Sequence, residues 1–108
     1  MKTITIDRSK HIREQPHTGH NRWHPNVEPI IDADPGEEVV LETRDASDGN
    51  VIYGSEEIVL TKAGHPLTGP VYINGAQPGD LLEIEYLDII PQPWGYTRFV
   101  PGRGFLPD

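Results

Sequence analysis

Carboxylates and imidazoles are the side chains in this sequence that could do chemistry. Six of them can hold a metal ion or move a proton: His20, His24, Glu42, Asp45, His65 and Asp88. Such groups can bind zinc or a similar ion and activate water for attack on a carbonyl, with a carboxylate as general base. They can equally be structural. The residue types alone leave a hydrolase and a binding module equally open.

Other common catalytic devices are missing from the sequence. There is no cysteine, which excludes disulfides, thiolate nucleophiles and thiolate metal sites. No serine stands in a nucleophile-elbow context, and there is no glycine-rich phosphate loop. The net charge of −8 argues against nucleic acid or an anionic membrane as the main ligand.

Two of the histidines, His20 and His24, have a spacing that suggests a metal pair. Residues four positions apart share a face only in a helix. Gly19 and Pro25 make a helix unfavourable here. The spacing therefore does not by itself predict a metal site.

His65 begins a loop that is rigid by composition, His65-Pro66-Leu67-Thr68-Gly69-Pro70. Each proline fixes φ at about −65° and removes a backbone donor. Rigid loops on a β scaffold often carry binding residues, although a stiff connection between strands would have the same composition. His65 is a site candidate on this ground.

Short runs of apolar and β-branched residues, separated by Gly and Pro, predict the elements that must position these side chains. An extended loop is predicted over Arg8–Pro25, and a strand or short helix over Val51–Leu60. Strands are predicted over Lys2–Ile6, Glu28–Asp34, Val39–Thr43, Val71–Ile73 and Leu81–Ile90. This pattern predicts an all-β sandwich or barrel with few or no helices.

One turn sequence occurs twice, as Pro35-Gly36-Glu37 and as Pro78-Gly79-Asp80, and a strand follows each copy. After the second copy, period-two alternation puts Leu82, Ile84 and Tyr86 on the core face.

The same frame after the first copy puts Val39, Leu41 and Thr43 on the core face. Glu42 then faces outward. Asp45 has core-facing parity at the strand's end, where a carboxylate is either bonded within a turn or placed in a cleft. We therefore prefer Asp45 to Glu42 as a site candidate.

The length of 108 residues, 12.1 kDa, allows one small β-rich domain over 1–108 or a fragment of a longer protein. A hydrophobic content of 35% and a mean hydropathy of −0.51 predict a thin core. The start of the sequence has no signal-peptide pattern, and no run approaches the ~20 apolar residues of a membrane span. The expected location is the cytoplasm.

Four ordered motifs resemble the acetamidase/formamidase family, chiefly its N-terminal part and a γ-lactamase member. They are Gly19-His20-Asn21-Arg22-Trp23-His24-Pro25, Glu42-Thr43-Arg44-Asp45-Ala46, His65-Pro66-Leu67-Thr68-Gly69-Pro70-Val71-Tyr72 and Ala76-Gln77-Pro78-Gly79-Asp80. The closing Pro101-Gly102-Arg103-Gly104-Phe105-Leu106 is similar to that family too. The resemblance implies a mainly β, sandwich-like fold, assembly into oligomers and hydrolysis of short amides or a lactam.

The resemblance also implies site residues. Asp45 and His65 are the expected catalytic pair, and they would hold zinc or another divalent metal if the enzyme uses one. The expected substrate-binding residues are His20, Asn21 and His24. A carboxylate that activates water without a metal is the other mechanism.

Family members are several times longer than this chain. We therefore expect an incomplete active site that needs the remaining C-terminal part of the enzyme, in the same or a second chain, and an isolated chain that is inactive. The alternative is a non-catalytic β module that serves binding or assembly.

Overall fold

The computed structural model describes residues 1–48, 64–97, 102 and 104. Apart from a 3-10 turn over Ile12–Glu14, the regular elements are short strands: β1 (Lys2–Ile4), β2 (Gly19–His20), β3 (Ile31–Ala33), β4 (Val39–Leu41), β5 (Leu67–Thr68) and β6 (Val71–Ile73). The fold class is thus all-β, as the sequence predicts. Within the described ranges, no helix has the length and apolar character needed to cross a membrane.

The strands of the described residues form three two-stranded ladders. β1 runs parallel to β4, with Lys2 opposite Val39, and β3 runs parallel to β6, with Ile31 opposite Val71. β2 and β5 are antiparallel. The two parallel ladders are joined at β1 and β3, because Lys2 Nζ donates to the Asp32 carbonyl oxygen at 2.7 Å and lies 3.3 Å from Asp32 Oδ1.

The core of the described part is small. Its buried apolar side chains are Ile4, Ile6, Ile12 and Ala33. Ile4 lies on β1 and Ala33 on β3, so the core sits where the two parallel ladders meet. A core of this size agrees with the low hydrophobic content.

The repeated turn sequence does form the same turn twice. The Glu37 amide donates to the Asp34 carbonyl at 3.0 Å, and Glu37 Oε2 accepts from the Asp34 amide at 2.9 Å. Asp80 and Gln77 form the same reciprocal pair, at 3.0 and 2.8 Å. The third residue of each turn is glycine, with φ of 86° at Gly36 and 95° at Gly79, a conformation that favours glycine.

These turns do not make hairpins in the described structure. Although Asp34–Glu37 connects β3 to β4, β3 pairs with β6 and β4 pairs with β1. The first turn therefore passes the chain from one parallel ladder to the other.

The strand predicted over Leu81–Ile90 is not formed in the described structure, and the core face assigned to Leu82, Ile84 and Tyr86 is exposed to solvent. The physical reason is the lack of a neighbour: no hydrogen bond joins residues 81–90 to another described residue. An alternating sequence cannot form a strand without a pairing partner.

The faces assigned around β4 also need correction. The strand ends at Leu41; Val39 is half-buried, whereas Leu41 and Thr43 are exposed. Glu42 is half-buried instead of facing outward, because Glu42 Oε2 accepts the Ile6 amide at 2.8 Å.

Two further predicted segments remain, a loop and a strand or short helix. The predicted loop over Arg8–Pro25 contains the 3-10 turn and β2. The segment Val51–Leu60 lies outside the described residues.

Candidate functional site

The β2–β5 ladder brings two of the histidine-bearing motifs together. His20 lies opposite Leu67, and Gly19 lies opposite Thr68. A Cβ at Gly64 would lie 4.0 Å from the Asn21 carbonyl oxygen, so the chain entering β5 runs beside the chain leaving β2. His65 therefore lies at the same end of the ladder as Asn21. The sequence did not predict this pairing, because each strand has only two residues.

His20 and His24 present opposite hydrogen-bonding groups. His20 Nδ1 lies 2.6 Å from the Arg22 carbonyl oxygen, which can only accept, so Nδ1 carries the proton and Nε2 of the neutral ring is an acceptor. His24 Nδ1 instead accepts the Asn26 amide at 3.1 Å, so its Nε2 is a donor.

Asp45 is held in a turn directly after β4. Its Oδ1 accepts the Ser47 amide at 2.6 Å and the Ser47 hydroxyl at 2.5 Å, and its carbonyl accepts the Asp48 amide at 3.0 Å. Tyr96 donates its hydroxyl to Ser47 Oγ at 2.9 Å. Of the two environments predicted for this carboxylate, the described structure has the hydrogen-bonded turn. Ser47 and Tyr96 are additions that the sequence did not indicate.

A hydrogen bond links the chain just before this turn to the β2–β5 ladder. Thr68 Oγ1 donates to the Glu42 carbonyl at 2.7 Å, which places β5 beside the chain just before Asp45. In the same region the Gly69 amide donates to the Thr18 carbonyl at 3.3 Å. His65 is exposed and forms no hydrogen bond or ion pair with another described residue, so the structure does not join it directly to Asp45.

The metal site predicted at Asp45 and His65 needs several ligand side chains close together. Within the described ranges, no three His, Asp or Glu side chains are grouped so that they could share a metal ion. His24 is also a poor ligand as it stands, because its Nδ1 is occupied and its neutral Nε2 carries the proton. Asp45 and His65 alone therefore do not make a site that fits zinc, which takes at least three protein ligands.

The most deeply buried charges belong to a cluster that the sequence analysis missed. The Asp48 side chain is fully inaccessible, and Arg44 Nη1 lies 3.4 Å from its Oδ1. Asp48 Oδ2 accepts the Ile12 amide at 2.9 Å, and its carbonyl accepts His11 Nδ1–H, also at 2.9 Å.

Arg44 extends this cluster. Its guanidinium donates to the Lys10 carbonyl at 2.6 Å and to Gln15 Oε1 at 2.5 Å. The sequence feature that could have revealed this cluster is Arg44 itself, because it is the one base between Glu28 and Glu57. This cluster fixes the turn that carries Asp45.

Known proteins match the chain over nearly its whole length. The acetamidase of Mycolicibacterium smegmatis is 36% identical over 123 aligned positions, which cover 97% of this chain and 30% of the relative. The formamidase of Methylophilus methylotrophus is 35% identical over 120 positions, covering 100% of this chain and 29% of the relative. The chain thus spans about 30% of the length of these relatives.

No solved structure gave a significant match to this chain. The family model described as "Acetamidase/Formamidase family" matches residues 5–108, which include all the motifs discussed above. This match, together with relatives aligned over almost every residue, shows that the chain belongs to the acetamidase/formamidase family.

Proposed function

We propose that this chain is part of a longer or multi-chain enzyme that hydrolyses short amides, with formamide and acetamide as the first candidates. The reaction adds water across the C–N bond and releases a carboxylic acid and ammonia. The observation that carries the proposal is the match to an acetamidase and a formamidase over 97% and 100% of this chain. A γ-lactam, opened to an amino acid, is the second substrate class.

The roles that we propose follow from the hydrogen-bonding groups. His24 Nε2–H would donate to the substrate carbonyl oxygen, and His20 Nε2 would accept from the substrate N–H. Asn21, beside them at the end of the β2–β5 ladder, is the third substrate-binding candidate. Their placement on one short segment supports a shared binding role.

Asp45 and His65 are the proposed catalytic pair. A carboxylate can take a proton from water as it attacks the amide carbon, and an imidazolium can give a proton to the departing nitrogen. Ser47 holds one oxygen of Asp45, which supports a fixed orientation for that carboxylate. The pair must act on one substrate in the complete enzyme.

Zinc or another divalent ion at Asp45 and His65 is a separate proposal. It requires further ligands from outside the described residues. We also propose a homo-oligomeric assembly and a cytoplasmic location, with the sequence resemblance as their support.

The test is ammonia release from formamide and acetamide by the complete enzyme. Asp45→Asn and His65→Gln should each lower kcat by a factor of about 100 or more, as is typical for loss of a general acid or base. Glu38→Gln and His17→Gln are matched controls, because both residues are exposed and should keep full activity. Wild-type turnover by both site variants would contradict the assignment.

The same experiment separates the second candidate function. A non-catalytic β module would assemble normally, and no variant of Asp45 or His65 would change turnover. Prior dialysis against a chelator tests the metal proposal: activity that is lost and then restored by zinc supports it. The isolated chain should release no ammonia above a chain-free control.

A further inference from the structure

Residues 81–90, here called the apolar segment, expose an unusual amount of hydrophobic surface. Leu81 is 98% exposed, Ile90 86% and Ile84 65%. Four more side chains of the apolar segment are more than half exposed: Leu82, Tyr86, Leu87 and Ile89. Single exposed apolar residues are ordinary. A segment in which seven of ten residues are apolar and exposed is typical of an interaction surface.

The backbone N–H and C=O groups of the apolar segment are also available for hydrogen bonding. In the described part of the chain, no hydrogen bond joins it to another residue. It is nevertheless held on both sides: the Gln77–Asp80 turn precedes it, and Tyr96 binds Ser47 after it. Its amides and carbonyls can therefore pair with an incoming strand without a rearrangement of the rest of the structure.

The order of side chains suits a strand with two different faces. In extended conformation Leu82, Ile84 and Tyr86 lie on one face. Glu83 and Glu85 lie on the other, between the apolar side chains of Leu81, Leu87 and Ile89. The first face would enter a shared core. The second would be neutralised by basic side chains opposite it.

A second copy of the chain is a poor partner. The apolar segment has three carboxylates, Glu83, Glu85 and Asp88, and no base. Self-pairing would bring two such acidic strands together, and each whole chain already carries a net charge of −8. Charge complementarity therefore favours a basic strand over a second copy of the same segment.

We propose that the apolar segment is the strand by which this chain docks onto the rest of the amidase. It pairs edge to edge with a strand that carries Lys or Arg opposite Glu83 and Glu85. The occupant comes from the roughly 70% of the relatives' length that this chain does not span. This inference rests on the proposed function only in requiring a longer enzyme.

Association and hydrogen exchange test the docking strand without reference to activity. The probe is the part of the Mycolicibacterium smegmatis acetamidase that lies outside its match to this chain, mixed with the full 108-residue chain. Exchange of residues 81–90 should be fast in the chain alone and about a hundredfold slower in the mixture. No association, or equal exchange in both samples, would overturn the proposal.

Substitutions test which side chains of the apolar segment form the docking surface. Ile84→Asp should raise the Kd of the mixture at least tenfold, since it puts a charge on the apolar face. Glu83→Lys should raise the Kd more at low salt than at high salt, because it reverses a complementary charge. Trp23→Ser is the control, because Trp23 is 88% exposed but lies outside the apolar segment. The Kd of the mixture should not change for this variant. Equal Kd values for all three variants would contradict the assignment of the apolar segment as the docking surface.

Three further outcomes are distinguishable. A 24 kDa species of the chain alone, with residues 81–90 protected, would replace this proposal with self-association. An assembled but inactive complex with the segment protected would sink the proposed hydrolysis and leave the docking strand intact. An active complex with the segment unprotected would do the reverse.

Discussion

Glu42 and Ile6 are joined by a hydrogen bond of 2.8 Å from the Ile6 amide to Glu42 Oε2. The backbone of Glu42 makes two further links, since its amide donates to the Ile4 carbonyl and its carbonyl accepts from Thr68 Oγ1. One residue thus ties β1 and β5 to the end of β4, immediately before the turn that carries Asp45.

Removal of the Glu42 carboxylate should destabilise the protein. Glu42→Ala leaves the amide of the buried Ile6 without its acceptor, which costs about 1–3 kcal/mol in the free energy of unfolding. Glu42→Gln keeps an acceptor and should cost less. Urea unfolding measures both, with Glu38→Ala as the exposed control. An Ala variant as stable as that control would show that Glu42 is not a structural link.

Gly19 should not tolerate a side chain. A Cβ there would lie 2.3 Å from the Leu67 carbonyl oxygen, which is a backbone atom and cannot move aside easily. Gly19→Ala should therefore separate β2 from β5, with a cost of about 1–3 kcal/mol. It should also lower amidase activity in the complete enzyme, because the ladder carries His20 and adjoins His65.

The matched control for this change is Gly95→Ala, since no atom lies within 4 Å of a Cβ at Gly95. Thermal unfolding and ammonia release should both be normal for that variant. If Gly19→Ala behaves like Gly95→Ala in both measurements, the β2–β5 ladder does not support the site.

Removal of one partner of the buried ion pair between Asp48 and Arg44 should greatly reduce the free energy of unfolding. Asp48→Ala leaves the guanidinium of Arg44, which is 7% exposed, without its anion, and a loss of about 3–5 kcal/mol is expected. Asp48→Asn should cost less, because asparagine keeps the hydrogen-bond acceptor and tolerates the φ of 56° at this position.

Replacement of both partners, as Asp48→Ala with Arg44→Met, should recover part of that loss, because no unpaired charge remains. Denaturant midpoints of the single and double variants measure the coupling. Strictly additive effects would argue that the two side chains do not stabilise each other.

Asp32 should make stability depend on pH in the acidic range. The hydrogen bond from the Asn74 side-chain Nδ2 to Asp32 Oδ2, at 2.8 Å, and then the contact with Lys2 hold the pKa of Asp32 below its ordinary value. A carboxyl whose pKa is lowered on folding binds a proton more readily in the unfolded chain. Its contribution is therefore present above the unfolded pKa of about 3.9 and is lost as the pH falls through the lower folded value.

The check is the melting temperature of the wild type and of Asp32→Asn between pH 2 and 6. The difference between the two proteins should be largest near pH 6 and should shrink in acid. Because Asp32 is exposed, high salt should reduce the difference. A difference that does not vary with pH would rule out this linkage.

The sequence predicted features that depend on short-range chemistry. The strand Val71–Ile73 follows from its β-branched residues and the turns around it. The two Pro-Gly turns follow from residues that only one turn geometry suits. The motif around His65 was singled out because its prolines and glycines are unusual together, and its role in a site stays a prediction.

The sequence did not predict which strands meet. Period-two alternation fixed a core face for Leu82, Ile84 and Tyr86, but a face is buried only where a partner covers it. Glu42 was placed outward by the same rule, although β4 ends one residue before it. The Asp48 cluster brings together residues far apart in sequence, and no local pattern encodes such a contact.

The parallel pairing of β1 with β4 and of β3 with β6 bears on how the chain reaches its native state. Neither pair can form from a local hairpin, because each strand must wait for a partner far along the chain. The entropy of closing these long loops is lost before the contacts repay it, and such high contact order slows folding. During synthesis β3 stays unpaired until β6, 40 positions further along from Ile31 to Val71, has left the ribosome, so the nascent chain carries an open strand edge over that interval.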